Sequence, residues 1–276
     1  MSDTNEGKLL QTMDGETRAK SPLNKRKRKR EKEKANRQLS EKKAKPVKLD
    51  RRTSSPPQLK RPTKPEQLDE SIAQMDPSLT ADYISQRIKK FEKDLSAVEL
   101  EDRFIPASAF LDTTSYNNSR TLANLSEYLE QFSPSLARNK ETNEALNTTG
   151  APHTIIVTAA ALRATDLARA VKRFQTKDSM VAKFFSKHIK LSEAIGLCNN
   201  IKIGVGVGTP ARILALIREG ALKLERLDAI VLDMSGLNKK RQGIFDIRET
   251  HKDILDLLNE PVIKSSLGDK IRLLVY

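Results

Sequence analysis

Short apolar segments alternate with helical segments over the second half of the sequence, and this alternation limits the fold more than any other feature. Residues 154–158 (TIIVT) are an apolar, largely β-branched run, and comparable runs follow at 201–207, 229–233 and 271–276. A run without polar alternation is typical of a strand that is covered on both faces. Helical patterns are predicted between these runs, over 159–174, 180–188, 192–198, 210–218 and 245–258. The alternation predicts an α/β fold in which a single parallel sheet carries helices on both faces.

The residues before this region carry a helical pattern of their own. Five apolar residues recur at spacings of three and four and predict one helix face, made of Ile84, Ile88, Phe91, Leu95 and Val98. A second short helix is predicted over 121–132. The sequence therefore divides into a tail over 1–78, a helical extension over 79–150 and the α/β region over 151–276.

Nearly all of the net charge of +14 lies in the tail. Residues 1–65 contain 21 Lys and Arg against 8 Asp and Glu, whereas residues 66–276 contain 29 against 28. A segment so charged and so poor in apolar groups cannot bury enough surface to fold, so we expect it to be disordered. Its most concentrated part is an unbroken run of six cations: Lys25, Arg26, Lys27, Arg28, Lys29 and Arg30. The run is typical of a nuclear localisation signal that also binds RNA phosphates, with a merely solvated charge run as the alternative.

Several classes of protein are excluded by what the sequence lacks. One cysteine, Cys198, rules out an intrachain disulfide and fits a cytosolic or nuclear compartment. No apolar run approaches the roughly 18 residues of a membrane helix, and the N-terminus lacks the pattern of a secretory signal. His153, His188 and His251 are too far apart for a metal-ligand motif, and there is no nucleophile-elbow motif. We therefore expect no catalytic residue, metal, cofactor, small-molecule substrate or membrane partner.

The first candidate site is the segment 204–212 (GVGVGTPAR), which joins a strand to a helix. Thr209 is suited to cap that helix and Pro210 to be its first residue. The next backbone amides have no partner within the helix, and with Arg212 and the helix dipole they would favour a phosphate. An ordinary capped helix is the alternative. The alternating glycines also indicate a close approach of neighbouring backbones.

The second candidate is Asp233, which ends the apolar run 229–233. Nucleotide-hydrolysing folds place a magnesium-organising aspartate at such a position. That role requires a glycine-rich loop with Gly-Lys-Ser/Thr, but the one Gly-Lys pair is Gly7-Lys8 in the tail. The next residue, Met234, supplies no second carboxylate. A structural role at the strand end is therefore favoured for Asp233.

Three blocks of the α/β region resemble the first RecA-like lobe of DEAD-box RNA helicases in their order and spacing. Residues 209–212 match the position of that family's Thr-Pro-Gly-Arg, which contacts the RNA backbone. Residues 233–236 match the position of Asp-Glu-Ala-Asp, and Arg163 with Asp166-Leu167 resembles Pro-Thr-Arg-Glu-Leu. The resemblance implies RNA contact through Thr209, Pro210 and Arg212, and an acidic motif that is reduced to Asp233.

The sequence also departs from the helicase pattern. The phosphate-binding motif is missing, and residues 273–276 stop about where the helicase strand leads into Ser-Ala-Thr. We therefore expect a single degenerate lobe without a second lobe. Since helicases hold ATP between two lobes, the resemblance implies a protein that is not an enzyme.

A second resemblance covers residues 79–276 and is more specific. Its blocks are similar to the eukaryotic complements-Mcm-ten-suppressor family of small-subunit processome proteins, and they lie at 80–84, 100–102, 110–113, 120–122, 207–212 and 271–276. This resemblance implies a non-enzymatic ribosome biogenesis factor in the nucleolus, with pre-ribosomal RNA and processome proteins as partners. Two other functions stay open: an ATP-dependent RNA helicase-like enzyme with an unusual site, and a nuclear protein linked to chromatin or DNA replication, which a basic tail would serve equally well.

Overall fold

Five parallel strands form one sheet with the order β2-β3-β1-β4-β5. The computed structural model describes residues 66–138, 148–185 and 189–276. The strands are β1 Thr154–Val157, β2 Met180–Phe184, β3 Ile203–Gly208, β4 Ala229–Leu232 and β5 Arg272–Val275. Strand β1 lies at the centre, where Thr154 is opposite Val205 of β3 and Ala229 of β4. The predicted α/β class, a single parallel sheet with flanking helices, is confirmed.

The described residues form ten α-helices: α1 Glu70–Ala73, α2 Pro77–Phe91, α3 Ala97–Arg103, α4 Leu125–Phe132, α5 Pro134–Arg138, α6 Ala161–Ala170, α7 Leu191–Asn200, α8 Pro210–Arg218, α9 Arg248–Leu258 and α10 Pro261–Lys264. Successive side chains of β1 point to opposite faces of the sheet. Ile155 and Val157 join a cluster with helices α2, α8 and α9, whereas Ile156 joins a second cluster with α4 and α6. Both faces of the sheet are therefore covered by helices, as the unbroken apolar runs predict.

The prediction of a helix over 180–188 is wrong for the residues described there, because Met180–Phe184 forms edge strand β2. His188 lies outside the described residues. The strand is selected by its neighbour β3, whose glycines allow a very close approach. A Cβ on Gly206 would lie 2.5 Å from the ring of Phe184, and a Cβ on Gly208 would lie 2.1 Å from the Phe184 carbonyl oxygen. The close approach that the alternating glycines indicate is confirmed, and this long-range pairing overrides the local helical pattern.

The helical region before the sheet differs from the prediction in two ways. The apolar face between Ile84 and Val98 belongs to two helices, because Ser96 and Glu99 form a capping box that starts α3. Val98 is consequently 70% exposed rather than buried. Ordered structure also begins earlier than the predicted tail boundary at residue 78, since α1 lies within the predicted tail and α2 starts behind the N-cap Asp76.

Candidate functional site at the carboxyl edge of the sheet

Asp233 follows β4 directly and its side chain is almost completely buried. Its carboxylate accepts three hydrogen bonds from two neighbours. The Thr158 hydroxyl, at the end of β1, donates to Oδ2 over 2.6 Å. The Arg163 guanidinium donates to both oxygens, from Nη2 to Oδ1 over 2.9 Å and from Nε to Oδ2 over 3.1 Å. Such a bidentate fork is the strongest common pairing of a carboxylate, so Asp233 is committed to contacts inside the protein.

Arg163 links Asp233 to a second carboxylate. Its Nη1 donates to Glu66 Oε2 over 2.9 Å, and the two oxygens of Glu66 also accept from the backbone amide of Leu122 at 3.1 Å. Burial alone would lower the pKa of the Arg163 guanidinium, but the Asp233 and Glu66 carboxylates together hold this pKa above its usual value. The guanidinium is therefore a permanent cation held between two anions.

Residues 66–69 form a strap across the chain that follows β4. Leu68 makes an antiparallel bridge with Gly236, the Asp69 amide donates to the Ser235 carbonyl over 2.8 Å, and the Leu237 amide donates to the residue 67 carbonyl over 2.9 Å. A Cβ on Gly236 would lie 2.8 Å from Asp233 Oδ1, so the carboxylate occupies the room that a side chain would need there. The strap and the ion pairs together close this part of the edge.

A bridged segment around Phe110, a loop and helix α4 also lie beside β5. Phe110 makes a parallel bridge with Leu273, the Leu111 amide donates to the Leu273 carbonyl over 2.9 Å, and the chain then loops over 112–124 into α4. A phosphate-binding loop likewise leads into a helix, but from a full strand. This loop contains no glycine, so it lacks the residues that bring backbone amides close to phosphates.

The loop is filled by the side chain of Arg120, which is fully buried. The guanidinium carbon lies 4.7 Å from the ring centroids of both Tyr116 and Tyr128. Its Nη2 donates to the carbonyls of Thr113 (2.9 Å) and Ala73 (3.3 Å), whereas Nε and Nη1 have no hydrogen-bond partner among the described residues. Burial lowers the pKa of Arg120 below its usual value. The space next to β5 thus holds an internal cation in an aromatic cage.

Tyr276 fastens this loop to the sheet. Its ring packs 4.8 Å from that of Tyr128, and its hydroxyl donates to the Thr121 carbonyl. The Tyr128 hydroxyl donates to the Val275 carbonyl over 2.8 Å. Burial raises the pKa of both tyrosines above the usual value. Both hydroxyls therefore stay neutral and act as donors, which fixes the loop against the carboxyl end of β5.

The Thr209–Arg212 segment has the predicted position but a weaker anion site than we expected. Thr209 is the N-cap of α8, yet its side chain makes no capping hydrogen bond. Pro210 has no N–H, and the amides of Arg212 and Ile213 already donate to the Thr209 carbonyl at 3.1 Å. At most the Ala211 amide is left for an anion. Arg212 has a buried Nη1 without a partner in the described part of the chain.

The structure brings some of the predicted site residues together and separates others. Arg163 and Asp233 form one cluster, joined by Thr158, which was not predicted as a site residue. Thr209 follows β3 on the other side of β1. Two strand spacings, about 10 Å, therefore separate Thr209 from Asp233. The six cations at 25–30 lie outside the described residues. Sequence reasoning missed Glu66 and Arg120; the signal it had for Arg120 was its place in the block 120–122.

Within residues 66–138, 148–185 and 189–276, no group of three or more His, Cys, Asp or Glu side chains is arranged to hold a metal ion. None of the helices described there is long and apolar enough to span a membrane.

Comparisons with known proteins extend these observations. The chain is similar to S. cerevisiae Dbp5 bound to RNA and ADP BeF3 (17% identity, TM-score 0.34, 52% of this chain and 31% of that chain). It is also similar to a DEAD box protein from Methanococcus jannaschii (19% identity, TM-score 0.36, 57% of this chain and 37% of that chain). The matched part is thus well under half of either solved chain.

Relatives of higher identity occur in fungi and vertebrates. Protein CMS1 of Chaetomium thermophilum is 43% identical over 213 residues, which cover 76% of this chain and 83% of that protein. Protein cms1 of Schizosaccharomyces pombe is 34% identical, covering 70% of this chain and 67% of that protein. Human protein CMSS1 is 29% identical, covering 71% of this chain and 64% of that protein. A family model matches residues 11–276, so the chain belongs to the CMS1 family, which is described as a U3-containing 90S pre-ribosomal complex subunit.

Proposed function

We propose that this protein is a non-enzymatic subunit of the particle that assembles the small ribosomal subunit, where it binds pre-ribosomal RNA and processome proteins in the nucleolus. Family membership supports this proposal, because the family's description names a pre-ribosomal complex subunit and no reaction. The basic tail supports it as well, since 21 cations against 8 acids favour a polyanionic partner.

One observation carries the non-enzymatic part of the proposal. Both oxygens of the Asp233 carboxylate are bonded to the Arg163 guanidinium, at 2.9 and 3.1 Å. A magnesium ion would have to displace a bound cation that is itself tied to Glu66. The loop beside β5 is filled by Arg120 in the same way. The edge that would hold a nucleotide is therefore closed by internal charges.

Calorimetric titration of the full chain with Mg–ATP tests this part. We expect no binding up to about 1 mM ATP, the upper end of common KM values. Asp233→Ala is the comparison variant. ATP binding that this variant abolishes would refute the proposal and favour a helicase-like enzyme.

The tail gives the RNA part of the proposal a quantitative form. Each phosphate contact with a single strand contributes about 0.7 to the slope of log affinity against log salt, so replacing the six cations at 25–30 by alanine should lower that slope by about 4. The same variant should fail to enter the nucleus if the run is also an import signal. An unchanged salt slope would show that the run does not contact RNA.

The lobe contributes separately through Thr209, Pro210 and Arg212. Arg212→Ala should lower the salt slope by less than about 1, because one phosphate contact is lost. Purification of the tagged full chain from cells tests the assembly function as a whole. We expect small-subunit precursor RNA and U3 RNA to co-purify, whereas recovery with bulk chromatin instead would favour the DNA-linked alternative.

A further inference from the structure

Two adjoining hollows lie between the end of α2 and the start of α9. Their volumes are about 640 and 610 Å³, and both are lined by Phe91, Arg248 and Glu249. The loop that carries the chain from the carboxyl end of β4 to α9 forms the outer wall of the second hollow. We call the two together the α2–α9 groove. It is separate from the closed site around Asp233 and from Thr209.

A tight turn at residues 238–242 presents three cations beside this groove. The Asn238 carboxamide oxygen accepts from the amides of Lys240 (2.8 Å) and Gln242 (3.0 Å), and Arg241 has a left-handed backbone with φ 58°. Lys239, Lys240 and Arg241 are all exposed. These hydrogen bonds hold the turn so that three adjacent positive charges face solvent.

In the part of the chain that the structure describes, no carboxylate forms an ion pair with these charges. Among the described residues, neither the three cations of the turn nor Arg248 and Lys252 of α9 lie within ion-pair distance of a carboxylate. Arg87 and Arg103, by contrast, are each paired with an aspartate at 3.0 and 3.1 Å. Four of these cations line the hollows, Arg241 lies in the turn beside them, and none of the five forms an ion pair among the described residues. The lining also contains the carboxylates of Glu92, Asp94, Asp246 and Glu249.

The floor of the groove contains a buried polar group that makes no hydrogen bond among the described residues. His251 lines the first hollow and is only 1% exposed, yet neither ring nitrogen has a hydrogen-bond partner within the described part of the chain. The Phe245 carbonyl is near the ring without reaching hydrogen-bond geometry, and burial lowers the pKa of the imidazole. Phe91 packs against the ring at 4.9 Å. A buried polar group without a partner is rare in a folded protein and calls for an acceptor.

The first turn of α9 adds further donors to the same place. Its N-cap, Ile247, has no side chain that can accept a hydrogen bond, so no side chain caps the first amides. Arg248 and Glu249 of this turn line both hollows. The cations, the uncapped amides and the imidazole are all suited to a ligand that is negatively charged and accepts hydrogen bonds. The half-buried ring of Phe91 provides a surface on which an unpaired base can stack.

We propose that the α2–α9 groove binds the phosphate backbone of single-stranded RNA, with the 238–242 turn and the start of α9 holding successive phosphates. This inference deepens the proposed function and rests on it. Glu92, Asp94 and Glu249 also line the groove, oppose the ligand and weaken its binding, whereas Asp246 is paired with Arg87.

The test measures binding of a labelled single-stranded oligouridylate to the full chain in which residues 25–30 are alanine, so that the tail does not mask the groove. Changing Lys239, Lys240 and Arg241 together to alanine should weaken binding about 10- to 100-fold at 0.1 M salt and lower the salt slope by about 2. The matched control changes three exposed, unpaired lysines near β2 to alanine, namely Lys172, Lys177 and Lys183, with an identical loss of charge. Equal losses from the two triple variants would overturn the inference.

Two single variants separate ligand contact from stability. His251→Phe keeps the ring packing but removes the donor, so binding should fall several-fold while the melting temperature is unchanged or higher. Glu249→Gln should strengthen binding about two- to three-fold. Unchanged binding in both variants would contradict the groove as the site. Co-purification of the turn variant with small-subunit precursors is a separate measurement. If the variant loses RNA affinity but still co-purifies, the proposed function is intact. If it keeps RNA affinity but loses its protein partners, the groove is not an RNA site.

Discussion

Removing the Arg163 side chain should show how much the ion pairs at the carboxyl edge of the sheet contribute to the free energy of unfolding. In Arg163→Ala, the buried Asp233 keeps the Thr158 hydroxyl but loses both guanidinium bonds. Breaking one partner out of a fully buried pair costs about 3–5 kcal/mol. Because the Arg163 side chain is 19% exposed and that of Asp233 is 2% exposed, we expect the lower end, about 3 kcal/mol. For a folded region of this size, that corresponds to a melting temperature lower by about 6–12 °C.

The measurement is urea unfolding of the full chain, with Arg169→Ala as the control. Arg169 lies on the same helix and pairs with Asp166, but both side chains are largely exposed, so its loss should cost less than about 0.5 kcal/mol. The double variant that changes both Arg163 and Asp233 to alanine should be about 2 kcal/mol more stable than the sum of the two single losses implies. A cost for Arg163→Ala no larger than that of the control would refute the assignment of Asp233 to an internal pair.

Three further outcomes follow from buried groups. Gly208→Ala should cost about 1–3 kcal/mol of unfolding free energy by overpacking against β2, whereas Gly196→Ala, which has nothing within 4 Å of its added Cβ, should stabilise α7 by about 0.5–1 kcal/mol; equal effects in urea unfolding would contradict this. Burial lowers the pKa of His153 and His251 from 6.5. The unfolded chain therefore binds more protons, and the free energy of unfolding should fall as the pH drops below 6.5. A variant that replaces both histidines should show a weaker dependence of this free energy on pH. Arg120→Ala should cost about 3 kcal/mol or more, but Arg120→Met, which keeps the volume and removes the charge, should cost less than half as much in the same assay.

The elements that the sequence predicted well are those whose local pattern and tertiary environment agree. The unbroken apolar run 154–158 lies at the centre of the sheet, and α8 spans Pro210–Arg218, the range predicted from the sequence with Pro210 as its first residue. Strand β2 could not be predicted locally, because its conformation depends on the room that Gly206 and Gly208 leave in a neighbouring strand. The strap at 66–69 is similar: its composition resembles the tail, and its ordering contacts are long-range, with residues 235–237 along the backbone and with Arg163 and Leu122 through Glu66.

The candidate site also contains features that the local sequence predicts and features that it does not. The position of Asp233 at a strand end follows from the apolar run before it, but its partners do not. Arg163 lies 70 residues away, and Glu66 lies 97 residues from Arg163. An ion pair at such separations leaves no periodic signal in one sequence. The uncapped start of α9 and the empty hydrogen-bonding positions of His251 are likewise visible only after the chain is folded.

The closed carboxyl edge of the sheet limits where this lobe can bind a ligand. Parallel α/β sheets bind ligands at that edge because neighbouring loops diverge there and leave a crevice with polar groups. An enzyme must keep such groups partly unsatisfied, which costs stability. Here the Arg163 guanidinium bonds to Asp233, and the Arg120 side chain fills the loop beside β5. Recognition then depends on groups that the fold leaves uncommitted, and the proposed α2–α9 groove, with the 238–242 turn and the first turn of α9, is one place in the described part of the lobe that offers them.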